Sequence, residues 1–143
     1  MINLKVRYIC ISLFFISSLI IQAKTYYDNI TDFEIVKVRD GDTFVINVKN
    51  IPDVFGEEIA VRIRGIDTPE LNDERDEIRK ISIQAKEELE RLLYSGEKVV
   101  LYDLGRDKYF RLLASVKVGD IDIAEYMIEI GLAKEYDGGK KVW

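Results

Sequence analysis

From Phe33 onward the chain falls into short runs of β-branched and aromatic residues separated by turn formers. Residues 33–39 form one run, Asp40-Gly41 breaks it, and residues 43–48 form a second, which predicts a hairpin or a tightly bent strand pair. After a loop carrying Pro52, Asp53 and Gly56, residues 58–66 set Ile59, Val61 and Ile63 against Glu58, Ala60, Arg62 and Arg64. A period of two gives a strand with one core face and one face able to present charge. Pro69 ends it, and Asn72 or Asp73 is placed to cap a helix whose apolar positions Ile78, Ile81, Ala85, Leu89, Leu92 and Leu93 recur at helical spacing before Gly96 stops it. Strands are expected at 98–102 and 110–118, then a turn at Gly119-Asp120. A short helix over 124–130 follows, with Asp122 as cap, Glu125 three residues on, Met127 and Ile130 inward and Gly131 as terminator.

Three strands, a helix, two strands and a helix suit an α+β, mainly β domain: a five-stranded OB-fold barrel with a helix between strands three and four and a short C-terminal helix. At 143 residues and 48% apolar content the chain holds one such domain, with residues 24–32 as a polar lead-in and 33–143 as the folded unit. There is no histidine, and the single cysteine, Cys10, lies in the hydrophobic N-terminal stretch. Histidine-based triads, Cys-His pairs and His-ligated zinc are thereby excluded, leaving carboxylates, Arg, Lys, Tyr or an oxygen-ligated metal to do any chemistry.

Lys5 and Arg7 precede an apolar run over 8–21 that closes at Ile21-Gln22-Ala23, the layout of a signal peptide cut after Ala23. The run is short of the ~20 residues a spanning helix needs, so export to the periplasm or medium is expected ahead of retention as a membrane anchor by residues 8–21. Removing residues 1–23 takes away two positive charges and moves the formal net charge from −5 to −7. An acidic domain argues mildly against polyanion binding, so any such binding must be local.

Three clusters carry candidate chemistry. Asp40-Gly41-Asp42-Thr43 brings two carboxylates together at a turn, as a hard oxygen-seeking cation requires, although Asp-Gly is also an ordinary hairpin turn. In residues 62–70, RIRGIDTPE, strand alternation puts Arg62 and Arg64 on one face, and Pro69 fixes the exit so that Asp67 and Glu70 can converge on one site. Residues 106–111, RDKYFR, form a basic and aromatic run entering a strand, which read blandly is a salt-bridged loop. Residues 98–117 hold five basic residues against two acids, whereas 70–90 hold eight acids against four basic residues. That segregation leaves room for a positive patch beside a metal despite the acidic total.

Together these segments resemble the staphylococcal nuclease family over about residues 33–137, with Ile66-Asp67-Thr68-Pro69-Glu70 downstream of Asp40-Gly41-Asp42-Thr43 as the specific part; Gly96 and Gly131-Leu132-Ala133-Lys134 also fall where that family has its helix ends. The resemblance implies that Asp42 and Asp67 bind Ca2+ with the Thr68 carbonyl, and that Asp40 helps set the charge. It implies Glu70 as general base, Arg62 and Arg111 as the arginines that hold the scissile phosphate, and Lys108 and Tyr109 as contacts to the terminal phosphate. It further implies a monomeric nuclease with no obligate protein partner, cleaving DNA and RNA, preferentially single-stranded or frayed, to leave 3'-phosphate ends.

The sequence departs from that pattern at four places. Phe110 stands where the family has a glycine, which would reshape the pocket floor. The loop after Glu70 is more acidic, with Asp73, Glu74, Asp76 and Glu77. The sequence runs to Trp143 without the family's long C-terminal helix, so Val142 and Trp143 are expected to pack back. The nucleotide-stacking tyrosine aligns only with Tyr136, one place early. The competing readings are a noncatalytic OB-type module binding nucleic acid or a protein, and a calcium-stabilised structural domain.

Overall fold

In a computed structural model of the chain the described residues are 28–141 and 143, so the expected export segment, residues 1–23, and the start of the lead-in lie outside them. Strand β1 (Phe33–Val38) runs antiparallel to β2 (Thr43–Val48), with Phe33 opposite Val48 and Val38 opposite Phe44. The loop between them is closed by Arg39 and Asp40 N–H groups donating to the Thr43 carbonyl. A single helical turn, α1 (Asp53–Gly56), occupies the loop that follows. β3 (Ile59–Ile63) pairs antiparallel with β2 and parallel with β6 (Leu112–Val118), which pairs with β5 (Val99–Arg106).

The sheet order β1-β2-β3-β6-β5 curls until Ile30, just ahead of β1, exchanges both backbone hydrogen bonds with Leu101 of β5, at 2.9 and 3.0 Å. The helix α2 (Asp76–Leu93) falls between β3 and β5 in the chain, and α3 (Ile123–Glu129) follows the short β7 (Ile121–Asp122). This is a mixed, mainly β, OB-like fold. Two further short strands, β4 (Ile66–Asp67) and β8 (Lys134–Glu135), pair beside the barrel.

Alternation along β2 and β3 supplies the core: Phe44, Ile46, Val61 and Ile63 are fully buried with Leu101 and Val116, and α2 adds Ala85, Leu89, Leu92 and Leu93. Each large side chain so buried stabilises the fold by about 1.5–3 kcal/mol relative to exposure. Several boundaries differ from expectation. The segment 58–66 is not one strand, because Gly65 at φ +84° turns the chain between β3 and β4. α2 starts after Arg75, later than expected, because the Asp73 carboxylate is engaged by the Arg75 backbone N–H and guanidinium and caps no helix. Asp122 does cap α3, accepting from Ala124 and Glu125 N–H, and Met127 is buried. Ile130, expected inward, is exposed, and Ile123 takes the buried position.

Gly41 has a different role from the bend expected of it. Its φ is not positive; it is a glycine because a Cβ there would lie 2.6 Å from Ala85 Cβ and 3.0 Å from Thr68. The tip of the β1–β2 loop is thus packed directly on α2 and on the residue following β4.

Candidate active site

One cleft of about 970 Å³ is lined by residues from all three sequence clusters: Asp40, Asp42 and Thr43; Arg62, Arg64, Asp67, Thr68 and Glu70; Asp107, Lys108, Tyr109 and Arg111. Tyr136 and residues 137–139 and 141 form a further wall. Every residue expected to act on substrate or metal therefore faces a single cavity.

At its floor stands a charged group withdrawn from water. Arg62 is 8% exposed, Asp42 6% and Asp67 1%, and charges this deep persist only when paired. Arg62 Nη1 lies 2.6 Å from Asp42 Oδ1, and Nη2 donates to Asp67 Oδ1 at 3.2 Å, so one guanidinium bridges both carboxylates. Asp42 is fixed further: Thr43 Oγ1 donates to its Oδ1, and Thr68 N–H and Oγ1 donate to its Oδ2, each at 2.9 Å. β-Pairing makes this possible, since Thr43 lies opposite Arg62 across β2 and β3.

Asp67 Oδ2 and Arg62 Nη1 are both buried with no hydrogen-bond partner among the described residues, so Nη1 is held to Asp42 by charge and closeness and not by an aligned N–H. Burial and the neighbouring Asp42 push the Asp67 carboxyl above its ordinary range, against the pull of Lys141 and Arg62. Burial, followed by the Asp42 charge, pushes Asp40 up to about 6. A buried carboxylate oxygen left without a partner beside a second carboxylate is an arrangement that a hard divalent cation would satisfy. Among the described residues no group of three or more His, Cys, Asp or Glu side chains is gathered closely enough to hold a metal ion by itself.

The second arginine comes from the β5–β6 turn. Asp107 organises it, accepting from the Tyr109 and Arg111 backbone N–H groups at 2.8 and 2.9 Å and from Arg111 Nε at 2.6 Å. Burial raises the Asp107 pKa, but these donors outweigh it and hold the carboxyl below its usual range. The salt-bridged-loop reading of this run thus holds, and its effect is to set the Arg111 guanidinium on the cleft. The Lys108 ammonium and the Arg111 guanidinium lie 5.1 and 5.6 Å from the centroid of the exposed Tyr109 ring. Phe110 does not form the pocket floor as expected. It is 82% exposed, outside the cleft lining, and holds φ +62°, a conformation that glycine adopts more readily than a residue with a side chain.

Glu70, at the rim, is exposed and pairs with the Lys141 ammonium. Trp143 does pack back: its indole Nε1 donates to the Asp67 carbonyl at 2.8 Å, while Val142 lies outside the described residues. Tyr136 lies in the cleft wall, with its N–H on the Gly65 carbonyl and its hydroxyl on that of Gly139. Lys141 had no sequence signal, because Asp137-Gly138-Gly139-Lys140-Lys141 has no periodicity. Arg64 also lines the cleft, but it is anchored on the Asp103 carbonyl and carboxylate, and Gly105 leaves the space for it.

The sequence pattern of staphylococcal nuclease homologues matches residues 60–141, more than half of the chain; that span includes Arg62, Asp67, Glu70 and Arg111 but not Asp42. A probable endonuclease of Schizosaccharomyces pombe is 31% identical over 132 residues, covering 76% of this chain and 57% of that protein. An uncharacterized protein of Bacillus anthracis is 33% identical over 100 residues, covering 68% of this chain and 44% of its own length. The chain spans about half the length of these curated relatives.

Proposed function

The chain belongs to the family of staphylococcal nuclease homologues, and on that premise we propose that it is a calcium-dependent nuclease hydrolysing DNA and RNA at the 5'-oxygen bond to leave 3'-phosphate ends. The observation that carries this reading is the cleft in which the buried Asp42–Arg62–Asp67 group lies alongside Glu70 and Arg111.

Attack on a phosphodiester builds negative charge on the equatorial oxygens, and groups fixed in advance stabilise that charge without reorganising. Arg62 is oriented by two carboxylates and Arg111 by Asp107, so neither guanidinium needs ordering when a phosphate arrives. Asp42, Asp67 and the Thr68 carbonyl would hold Ca2+, which when bound supplies charge neutralisation and polarises the phosphoryl oxygen. Glu70, at the exposed rim, takes the proton of the attacking water. Lys108 and Tyr109 bind the neighbouring phosphate, and Tyr136, which lines the same cleft, offers a ring to a base. Export through residues 1–23 belongs to the same proposal, and N-terminal sequencing of protein recovered from the medium tests it.

Digestion of single-stranded DNA and of RNA, with calcium and then with chelator, tests the reading. Calcium-dependent cleavage is expected, with Arg111→Ala and Glu70→Gln each slower by about 10²–10⁴-fold. Full activity in either variant would overturn the roles given to them.

A further inference from the structure

The cleft has a wall supplied neither by its floor nor by the β5–β6 turn. After β8 the chain turns through residues 137–140, closed by the Tyr136 hydroxyl donating to the Gly139 carbonyl, and returns to the edge of the site. Trp143 moors this segment to Asp67 through its indole N–H, and the Lys134 ammonium covers the ring at 4.0 Å from its centroid. Two residues before that anchor, Lys141 is held over the cleft with its ammonium on Glu70.

The field at Lys141 comes from the whole acidic site. Burial lowers its pKa, but Glu70, then Asp67 and Asp42, outweigh it and the net shift is upward. The Lys141–Glu70 pair itself is exchangeable, since both side chains are more than half exposed, 55% and 58%, and such pairs are weak. While it stands, Glu70 Oε1 is engaged and its negative charge is offset by the ammonium. A phosphodiester entering between Arg62 and Arg111 brings a fixed anion within this lysine's surroundings, and transfer of the ammonium to it releases the carboxylate.

Resting on the nuclease reading, we propose that Lys141 contacts substrate: its ammonium leaves Glu70 Oε1 for a non-bridging phosphate oxygen of the bound strand, and the carboxylate, no longer offset by that charge, becomes a stronger acceptor for the attacking water. Arg62 and Arg111 act at the scissile phosphate, and Lys141 is a third cation lining the same cleft, on the segment that Trp143 moors.

The test is steady-state cleavage of oligothymidylate in calcium by the full chain and its Lys141→Met and Lys141→Arg variants across a salt series. Lys141→Met is expected to raise KM about five- to tenfold, the weight of one charge-assisted hydrogen bond to phosphate. It should also make the slope of log(kcat/KM) against log[salt] shallower by about 0.7, the change for neutralising one phosphate fewer on a single strand. Lys141→Arg is expected to keep the slope, as is Lys80→Met, a change on the exposed face of α2 away from the cleft. Lys141→Met with wild-type KM and slope would overturn the proposal, leaving Lys141 as a counter-ion to Glu70 alone. A rise in kcat/KM would also overturn it, by making the segment an obstruction. A wild-type chain that cleaves nothing would defeat the nuclease reading first, and this inference with it; matched thermal unfolding of the variants separates weakened substrate binding from a damaged fold.

Discussion

Replacing Gly41 with alanine should damage both stability and catalysis through a single steric clash. The added methyl would sit 2.6 Å from Ala85 Cβ, where carbon atoms ordinarily stay about 3.5–4.0 Å apart, so loop or helix must separate by on the order of 1 Å. Neither neighbour can yield easily, since Ala85 is fully buried in α2 and Thr68 is 4% exposed. Overpacking of this kind costs about 1–3 kcal/mol. The loop that moves carries Asp42, which orients Arg62 and accepts two hydrogen bonds from Thr68, so the displacement reaches the site directly. A shift near 1 Å in a positioning group lowers rate by about 10²-fold. Urea denaturation and calcium-dependent cleavage measure the two effects. The Ala85→Gly change opens the same space at a helix cost of about 1 kcal/mol. The double variant should therefore be less destabilised than the sum of the singles, with coupling of about 1–2 kcal/mol. Strict additivity, or a Gly41→Ala protein of wild-type stability and rate, would refute the reasoning.

Other expectations follow from the same geometry. Phe110→Gly relieves a left-handed conformation that costs a side-chain-bearing residue about 1–2 kcal/mol, partly offset by glycine's entropy, so the urea midpoint should rise at unchanged slope. Arg62→Met leaves Asp42 and Asp67 buried without their shared cation and should destabilise the metal-free protein by about 3–5 kcal/mol, read by denaturation in chelator. Asp40 binds its proton more tightly in the folded state, pushed up to about 6 first by burial and then by Asp42. Stability in chelator should therefore fall as pH rises from about 4 to about 6, by at most about 3 kcal/mol and less where solvent screens the half-buried group; Asp40→Asn should flatten that dependence in pH-resolved urea melts.

What could be read from the sequence was what local pattern determines. β2 spans the residues expected of it because β-branched and aromatic residues run nearly unbroken from Thr43 to Val48. α3 carries its own cap in Asp122. That Arg62, Asp67 and Glu70 could converge was legible from strand alternation and the exit set by Pro69, whereas the role of each site residue was implied only by the resemblance to the nuclease family. Contacts made across the fold were not legible. Gly41 looks like a turn glycine until Ala85 is seen against it. Asp73 looks like a helix cap, yet Arg75 takes its carboxylate. Ile130 has the spacing of a core residue, but α3 ends after Glu129 and leaves it outside. Lys141 reaches Glu70 across 71 residues of sequence, a separation no local pattern encodes.

We propose that the Asp42–Arg62–Asp67 floor, with Glu70 and Arg111 beside it, supports phosphodiester hydrolysis in a defined direction. Mass spectrometry of the ends produced when the purified chain acts on a single-stranded oligonucleotide in calcium tests this most directly. The account predicts fragments ending in 3'-phosphate and 5'-hydroxyl, with none formed in chelator. Fragments bearing 5'-phosphate, or a substrate left intact in calcium, would contradict it.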